Sequence, residues 1–220
     1  MNAADFGTLA HDMMEYLGKH KPPKDVFLNS CSNAFDIYLK HKPAVIEEKK
    51  NAARQEFLDV MSAAYDFDIN NASKIEFSEK FLKAKHEPSG LTLIGKPDRV
   101  EVDGGANTVV DFKTGRAIKH EQNDPKSCLQ ILIYAFLCEK NNQSKKINKG
   151  EFRYLRNSGI ISCAYDDGAK AAMDEILKKF AEGLQNLNFE RCNKHCDYCS
   201  YSDICLLPGE IDDEKEGDSG

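Results

Sequence analysis

The stretch that most constrains the fold is residues 95–115, GKPDRVEVDGGANTVVDFKTG. Two short runs rich in valine flank a Gly-Gly pair, a pattern that predicts a β-hairpin with a two-residue turn. If Gly104 and Gly105 form that turn, residues whose numbers sum to 209 face each other across the hairpin. Asp98 and Asp111 form such a pair, so we expect two carboxylates on one face, with Cβ atoms roughly 5 Å apart.

The two carboxylates make the hairpin a candidate metal site. Acids at this spacing repel each other and raise each other's pKa, and a divalent cation between them removes the conflict. Lys113 follows Asp111 by two residues and therefore projects from the same face of the strand. Oxygen ligands suit Mg²⁺ or Mn²⁺, which keep positions for water and a substrate phosphate. The pattern predicts phosphodiester hydrolysis.

The alternative is a hairpin edge that carries two exposed acids and a lysine without chemistry. Pro97 is the point on which the choice depends, because a proline interrupts the hydrogen-bond ladder and a bulge there would shift the pairing.

Composition narrows the class of protein. The chain has 220 residues, 41% of them hydrophobic, which suits one domain with a real core. No apolar run approaches a membrane span and no signal peptide opens the chain, so a soluble, cytoplasmic protein without a membrane partner is predicted. The net charge of -6 comes mostly from residues 208–220, which we predict to be a disordered acidic tail.

Hydrophobic periodicity predicts the order of the elements. Helices are expected over residues 4–18, 30–41 and 44–68, and strands over 74–84, 91–102 and 108–115. A helix over 126–140, a strand pair over 151–156 and 159–165, and a helix over 171–184 follow. This order predicts a mixed α/β domain that contains a three-stranded meander, with a compact appendage at the C-terminus.

Four motifs occur in a fixed order along the chain: FGTLAHD with Gly7 and His11, GKPDRV, DFKTG, and LQILIY with Gln130 and Tyr134. Together they resemble the PD-(D/E)XK nuclease superfamily, and most closely its RecB-like branch. That branch includes the nuclease domains of RecB and AddB and the related CRISPR-associated iron–sulfur exonucleases. The resemblance spans residues 6–205.

The resemblance implies a restriction-endonuclease-like fold, in which helices flank a central mixed sheet. Residues 1–70 would be the N-terminal helical part that carries the histidine motif, and residues 71–187 the nuclease core. Residues 188–207 would form a Cys-rich staple ahead of the acidic tail.

The resemblance also implies roles for individual residues. Asp98 and Asp111 would be metal ligands, Lys113 the catalytic lysine, His11 an additional metal ligand, and Glu79 a supporting acid. Contacts with DNA, or support of the wall of the site, would come from Gln130, Tyr134 and Arg116. Taken alone, His11 and Glu79 also fit surface positions, and Tyr134 also fits a core position.

Half of the eight cysteines crowd into one segment, RCNKHCDYCSYSDIC. Clustered cysteines in an intracellular chain favour metal binding over a disulfide scaffold. The spacing of Cys196, Cys199 and Cys205 resembles the C-terminal cysteines that bind a [4Fe–4S] cluster in AddB-like nucleases.

The fourth cluster ligand is open. In the family it precedes the histidine helix, but no cysteine precedes His11 here, so we expect either a shortened N-terminus or an incomplete cluster. Cys192 and Cys31 are the candidates to replace it. A zinc knuckle that uses Cys192 or His195 is the alternative, and free thiols are the third possibility.

The predicted function is a metal-dependent DNA nuclease that trims or degrades ends in recombination and double-strand-break repair. The short N-terminus favours the nuclease domain of a helicase–nuclease, so DNA and a helicase-like subunit are the expected partners. A stand-alone or CRISPR-associated exonuclease is the second candidate, and a DNA-binding module without catalysis is the third.

Overall fold

The secondary structure alternates helical and strand segments along the chain. A computed structural model describes residues 1–40, 47–71, 74–103, 106–115, 124–141 and 146–187. Contacts divide the chain into a unit Met1–Ala181 and a unit Glu182–Gly220, and the described residues of the candidate active site belong to the first unit. Within the described ranges, no helix has the length and apolar character needed to cross a membrane.

The elements are named in chain order. The helices are α1 (Ala3–His20), α2 (Lys24–Lys40), α3 (Glu47–Asn71), α4 (Pro125–Lys140) and α5 (Asp167–Gln185). The strands are β1 (Lys74–Ser78), β2 (Leu82–His86), β3 (Leu91–Gly95), β4 (Arg99–Asp103), β5 (Ala106–Lys113), β6 (Ile147–Tyr154) and β7 (Gly159–Ala164).

Five strands form a central mixed sheet in the order β1-β4-β5-β6-β7. The β5–β6 pair is parallel, because α4 crosses over between them, and the other pairs are antiparallel. Helices lie on the two faces of this sheet, and the predicted α/β restriction-endonuclease-like fold is confirmed.

The predicted hairpin register is confirmed where the two strands pair. Residues 99–103 face residues 110–106, and each facing pair sums to 209. No bulge interrupts this part of the ladder, because Pro97 lies outside β4 and leaves the pairing intact. The turn residues, Gly104 and Gly105, lie outside the described residues.

The predicted three-stranded meander is wrong. Residues 74–84 divide into β1 and β2, and residues 91–102 divide into β3 and β4. β1 pairs directly with β4, and β2 and β3 form a two-stranded sheet of their own. The strand breaks at Glu79, whose backbone is left-handed with a φ of 54°, and again at Pro97, which has no N–H to donate.

Two apolar cores hold the helices against the sheet. One side of α1 buries Phe6, Ala10, Met13, Met14 and Leu17, a spacing of three or four residues that forms one helical face. This face packs with α2, α3 and the β5 side chains Val110 and Phe112. Val109, which points to the opposite face of β5, packs instead in the core with α4 and α5.

Glycines in β6 and β3 allow α4 to approach these two strands closely. A Cβ at Gly150 in β6 would lie 2.2 Å from Cγ1 of Ile131, and a Cβ at Gly95 would lie 2.7 Å from Cε1 of Tyr134. Larger residues at either position would displace the helix that carries Gln130 and Tyr134.

A buried ionic network fixes β4 next to the predicted site. Arg99 donates to Asp68 on α3 at 2.7 Å and to the Met14 carbonyl on α1 at 3.2 Å. Arg153 on β6 donates to both carboxylate oxygens of Glu101 at 2.8 Å. Burial raises the pKa of Asp68, and the Arg99 charge opposes that shift. Because Arg99 follows Asp98 directly, this network holds the backbone that presents Asp98.

Candidate active site

Asp98 lies immediately before β4 and is fixed by its own backbone and side chain. Its carbonyl accepts a hydrogen bond from the Glu79 N–H at 3.1 Å, which extends the β1–β4 ladder by one residue. Its Oδ2 accepts a hydrogen bond from the Phe112 N–H at 2.6 Å, across on β5. The side chain is only 10% exposed. Asp98 therefore has one oxygen committed to the sheet and the other turned to α1.

His11 on α1 meets that second oxygen. Its Nδ1 lies 3.0 Å from Asp98 Oδ1. Gly7, one turn earlier on α1, has Thr114 Oγ1 3.4 Å from its would-be Cβ, so the helix runs close to the end of β5. Burial lowers the pKa of His11, but the hydrogen bond and charge of Asp98, with the more distant acids, outweigh it and the net shift is upward.

Glu79 completes a cluster of possible metal ligands. Within the described ranges, one ligand atom each from His11, Glu79 and Asp98 lie within 4.8 Å of one another. Glu79 has a left-handed backbone and lies beside Asp98, just before the start of β4. Lys96 forms an ion pair with Glu79 and lines the same open cavity of about 350 Å³ as the three ligands.

Asp111 is the most buried acid of the site. Its burial, and next the charge of Asp98, raise its pKa from 3.8 to about 6, while Lys113 and His11 oppose the shift. Lys113 Nζ lies 2.7 Å from Asp111 Oδ2. That contact lacks hydrogen-bond geometry, and Oδ2 is a buried oxygen without a hydrogen-bond partner.

Gln130 and Tyr134 on α4 hold the other side of these groups. The Gln130 amide donates to Asp111 Oδ1 at 3.1 Å, and its carbonyl accepts from Lys113 Nζ at 2.8 Å. The amide also lies 3.1 Å from the Tyr134 hydroxyl, one helical turn away. Lys113 also lies 5.1 Å above the centre of the Phe152 ring. The lysine is therefore positioned by three neighbours.

The residues present fit a divalent cation. Two carboxylates and one imidazole supply hard oxygen ligands and one nitrogen, a set that suits Mg²⁺ and more so Mn²⁺. Asp111 Oδ2 has an ion pair but no hydrogen bond, and the pKa of Asp111 is raised, so the described side chains compensate its negative charge only in part. Asp111 is outside the three-residue cluster, and its oxygens contact Lys113 and Gln130.

The structure brings some of the predicted site residues together, and others lie outside the described residues. His11, Glu79, Asp98, Asp111, Lys113, Gln130 and Tyr134 are brought together by α1, β1, β4, β5 and α4. Arg116, His195 and the four clustered cysteines, Cys192, Cys196, Cys199 and Cys205, lie outside the described residues. Their roles stay predictions.

Cys31, the other candidate for a fourth cluster ligand, lies fully buried on α2. Burial raises the pKa of its thiol to about 12, so the thiolate that metal binding requires is disfavoured there.

Lys96 is a site residue that sequence reasoning missed. It pairs with Glu79 and follows Gly95 in the short link between β3 and Asp98. A lysine two residues before a candidate ligand was a usable signal, since alternate residues of an extended segment share a face.

The family follows from a match over nearly the entire chain. The model of the PD-(D/E)XK nuclease superfamily matches residues 1–206. This chain belongs to the PD-(D/E)XK nuclease superfamily.

One solved structure has a similar fold, and a second shows a weaker similarity. A protein from Eubacterium rectale with a provisional designation as an exonuclease is 13% identical, with a TM-score of 0.50. That similarity covers 84% of this chain and 76% of the other. The protein SSO0001 is 19% identical over 91% of this chain and 84% of its own, with a TM-score of 0.43. Among curated proteins, none matches this sequence.

Proposed function

We propose that this protein is a metal-dependent deoxyribonuclease of the RecB-like exonuclease type. The observation that carries the proposal is the convergence of one buried acid, a three-residue ligand cluster and a held lysine at one end of β4 and β5. A stable fold has no need for such a cluster, since each buried carboxylate costs desolvation free energy that its partners must offset.

His11, Glu79 and Asp98 would hold a Mg²⁺ or Mn²⁺ ion, and Asp111 is the further acid next to them. When bound, such an ion neutralises charge on the scissile phosphate and lowers the pKa of a coordinated water. Lys113 donates hydrogen bonds to the reacting oxygens and offsets the charge that develops on the phosphate.

Neighbouring side chains orient or neutralise the lysine and the ligand residues. Gln130 keeps Lys113 turned toward Asp111, since its amide group bridges the two at 3.1 and 2.8 Å. Asp98 accepts from Phe112 N–H and from His11, which fixes the orientation of the imidazole. Lys96 neutralises Glu79 and borders the cavity by which a phosphate enters.

The RecB-like assignment rests on the order and placement of the four motifs. Gly7 of the first motif lies near Thr114 after β5, and His11 of that motif meets Asp98. Gln130 of the last motif contacts Asp111 and Lys113, and Tyr134 contacts Gln130. A role in end processing during recombination and repair, with a helicase-like partner, follows from that resemblance. A stand-alone or CRISPR-associated exonuclease is the second candidate.

The Cys-rich segment is proposed to bind a [4Fe–4S] cluster through Cys196, Cys199, Cys205 and Cys192, with zinc as the alternative. The burial and raised thiol pKa of Cys31 favour Cys192 as the fourth ligand. Iron and zinc analysis of protein purified without oxygen distinguishes the two metals. Neither metal at a stoichiometric level would exclude both.

Cleavage assays test the enzymatic proposal. Wild-type protein, Lys113→Ala and the control Lys178→Ala, an exposed lysine on α5, are incubated with end-labelled linear DNA and Mg²⁺, Mn²⁺ or EDTA. We expect metal-dependent cleavage by wild type and by the control, and a loss of about 100-fold or more in Lys113→Ala. DNA binding by wild type with no cleavage under any metal condition would leave a DNA-binding module and exclude the nuclease.

A further inference from the structure

The hairpin β2–β3 emerges from the candidate site itself. It is inserted between β1 and β4, so Glu79 lies just before it and Asp98 just after it. Its inner face buries Leu82 and Leu93, which pack in the core that contains α4. The hairpin is therefore anchored on one face and begins and ends at two residues of the ligand cluster.

The outer face of the hairpin combines apolar and basic side chains. The register places Lys83 opposite Ile94 and Lys85 opposite Thr92, so these four share the outer face. Phe81, which precedes the buried Leu82, is 65% exposed, and Ile94 is 59% exposed. An exposed phenylalanine two residues from a candidate metal ligand is not explained by packing.

The positive charge of the β2–β3 hairpin favours a polyanion as the ligand of its outer face. Residues 80–86, KFLKAKH, contain three lysines and no acid. Lys85 forms an ion pair with Glu87 at 3.2 Å, but both side chains are more than 60% exposed, so a phosphate can replace that partner easily. Two separated apolar side chains between lysines are too little apolar area for a protein interface.

We propose that the outer face of β2–β3 binds a single strand of DNA and leads it to the candidate active site. Phe81 stacks on an unpaired base, and Lys83 and Lys85 contact its phosphates. The bases of a duplex are already stacked and paired, so only a single strand offers Phe81 a free base. This inference rests on the proposed function, because it assigns the surface that delivers substrate to that site.

Fluorescence anisotropy tests the surface without cleavage. Binding of a labelled single-stranded oligonucleotide and of the matching duplex is measured in EDTA for wild type, Phe81→Ala, Phe81→Trp and Phe180→Ala. The control Phe180 is a 56% exposed phenylalanine on α5. We expect Phe81→Ala to weaken single-strand binding on the order of tenfold, with little change for duplex. Phe81→Trp and Phe180→Ala should bind as wild type does.

Charge is tested separately by salt titration of Lys83→Gln. Loss of one phosphate contact on a single strand lowers the slope of log affinity against log salt by about 0.7. An unchanged slope would show that Lys83 does not contact a phosphate of the bound strand. Unchanged single-strand affinity in Phe81→Ala, an equal loss in Phe180→Ala, or an equal loss for duplex would overturn the proposal.

Failure of this surface and failure of the nuclease are distinguishable. If wild type cuts DNA with Mg²⁺ or Mn²⁺ but Phe81→Ala binds single strands normally, the surface is wrong and the nuclease stands. If wild type never cuts DNA but Phe81→Ala binds single strands more weakly than wild type, the nuclease proposal is wrong and the surface proposal stands.

Discussion

Asp111→Asn should make the metal-free protein more stable while it removes the nuclease activity. The pKa of Asp111 is raised from 3.8 to about 6, chiefly by burial and then by the charge of Asp98. The folded state therefore holds this proton more tightly than the unfolded state does. Stability contributed by the protonated carboxyl is lost as the pH rises from 3.8 through about 6.

The magnitude follows from the size of the shift. A shift of about two pKa units corresponds to ~3 kcal/mol between the two protonation states. We expect Asp111→Asn to exceed wild type in free energy of unfolding by ~1.5 kcal/mol near pH 5 and ~3 kcal/mol near pH 8. Asparagine keeps the shape of the side chain and its acceptor for Gln130, but carries no charge to desolvate.

Urea denaturation followed by circular dichroism, in EDTA across this pH range, measures the difference. Asp103→Asn, an exposed acid at the end of β4, serves as the control and should differ little from wild type at any pH. A difference between wild type and Asp111→Asn that does not grow with pH would refute the reasoning. So would a variant that is less stable than wild type near pH 8.

Further predictions concern packing, the buried ions and the lysine. Gly150→Ala places a Cβ 2.2 Å from Ile131 and should cost about 1–3 kcal/mol of unfolding free energy; Gly168→Ala, whose nearest contact is 3.4 Å, should cost little in the same denaturation assay. Arg153→Met removes the two hydrogen bonds at 2.8 Å that Arg153 donates to Glu101 and should cost about 3–5 kcal/mol by the same measurement, and a cost below about 1 kcal/mol would contradict the network. Gln130→Ala should slow cleavage of labelled DNA by about 10-fold, less than removal of the lysine that it holds, and an equal loss would assign Gln130 a direct role.

The sequence was sufficient to predict the register of the central hairpin. The Gly-Gly turn and the strict alternation of strand residues place Asp98 opposite Asp111, and the β4–β5 pairing follows the same sum of residue numbers. The order of motifs then indicated which helices should bring His11 and Gln130 to those acids. Both side chains lie within 3.1 Å of an acid oxygen.

The insertion of the β2–β3 hairpin could not be predicted from the local alternation of residues. Residues 74–84 alternate like one strand, and only the left-handed backbone at Glu79 divides them. Glu79 lies where β1, after pairing with the sequence-distant β4, leaves the central sheet. The same division gives Glu79 its place beside His11 and Asp98, so its inclusion in the ligand cluster could not be derived from spacing.

The buried charges and one cysteine pair also depend on tertiary packing. Asp68 was expected only as the last residue of a helix, but it pairs with Arg99 inside the protein. Cys128 and Cys163 looked scattered, yet they form a disulfide that joins α4 to β7. Each pair combines residues from distant segments, and neither carries a local sequence signal.

Binding of Mn²⁺ is the most direct test of a metal-dependent site. Manganese titrations followed by electron paramagnetic resonance compare wild type, Asp98→Asn and the control Asp103→Asn, each checked for folding by circular dichroism. We predict that wild type and the control bind the ion. Asp98→Asn, which loses the carboxylate that lies beside His11 and Glu79 in the cluster, should bind it at least 10-fold more weakly. Equal Mn²⁺ affinity in wild type and Asp98→Asn would contradict a metal centre at this position.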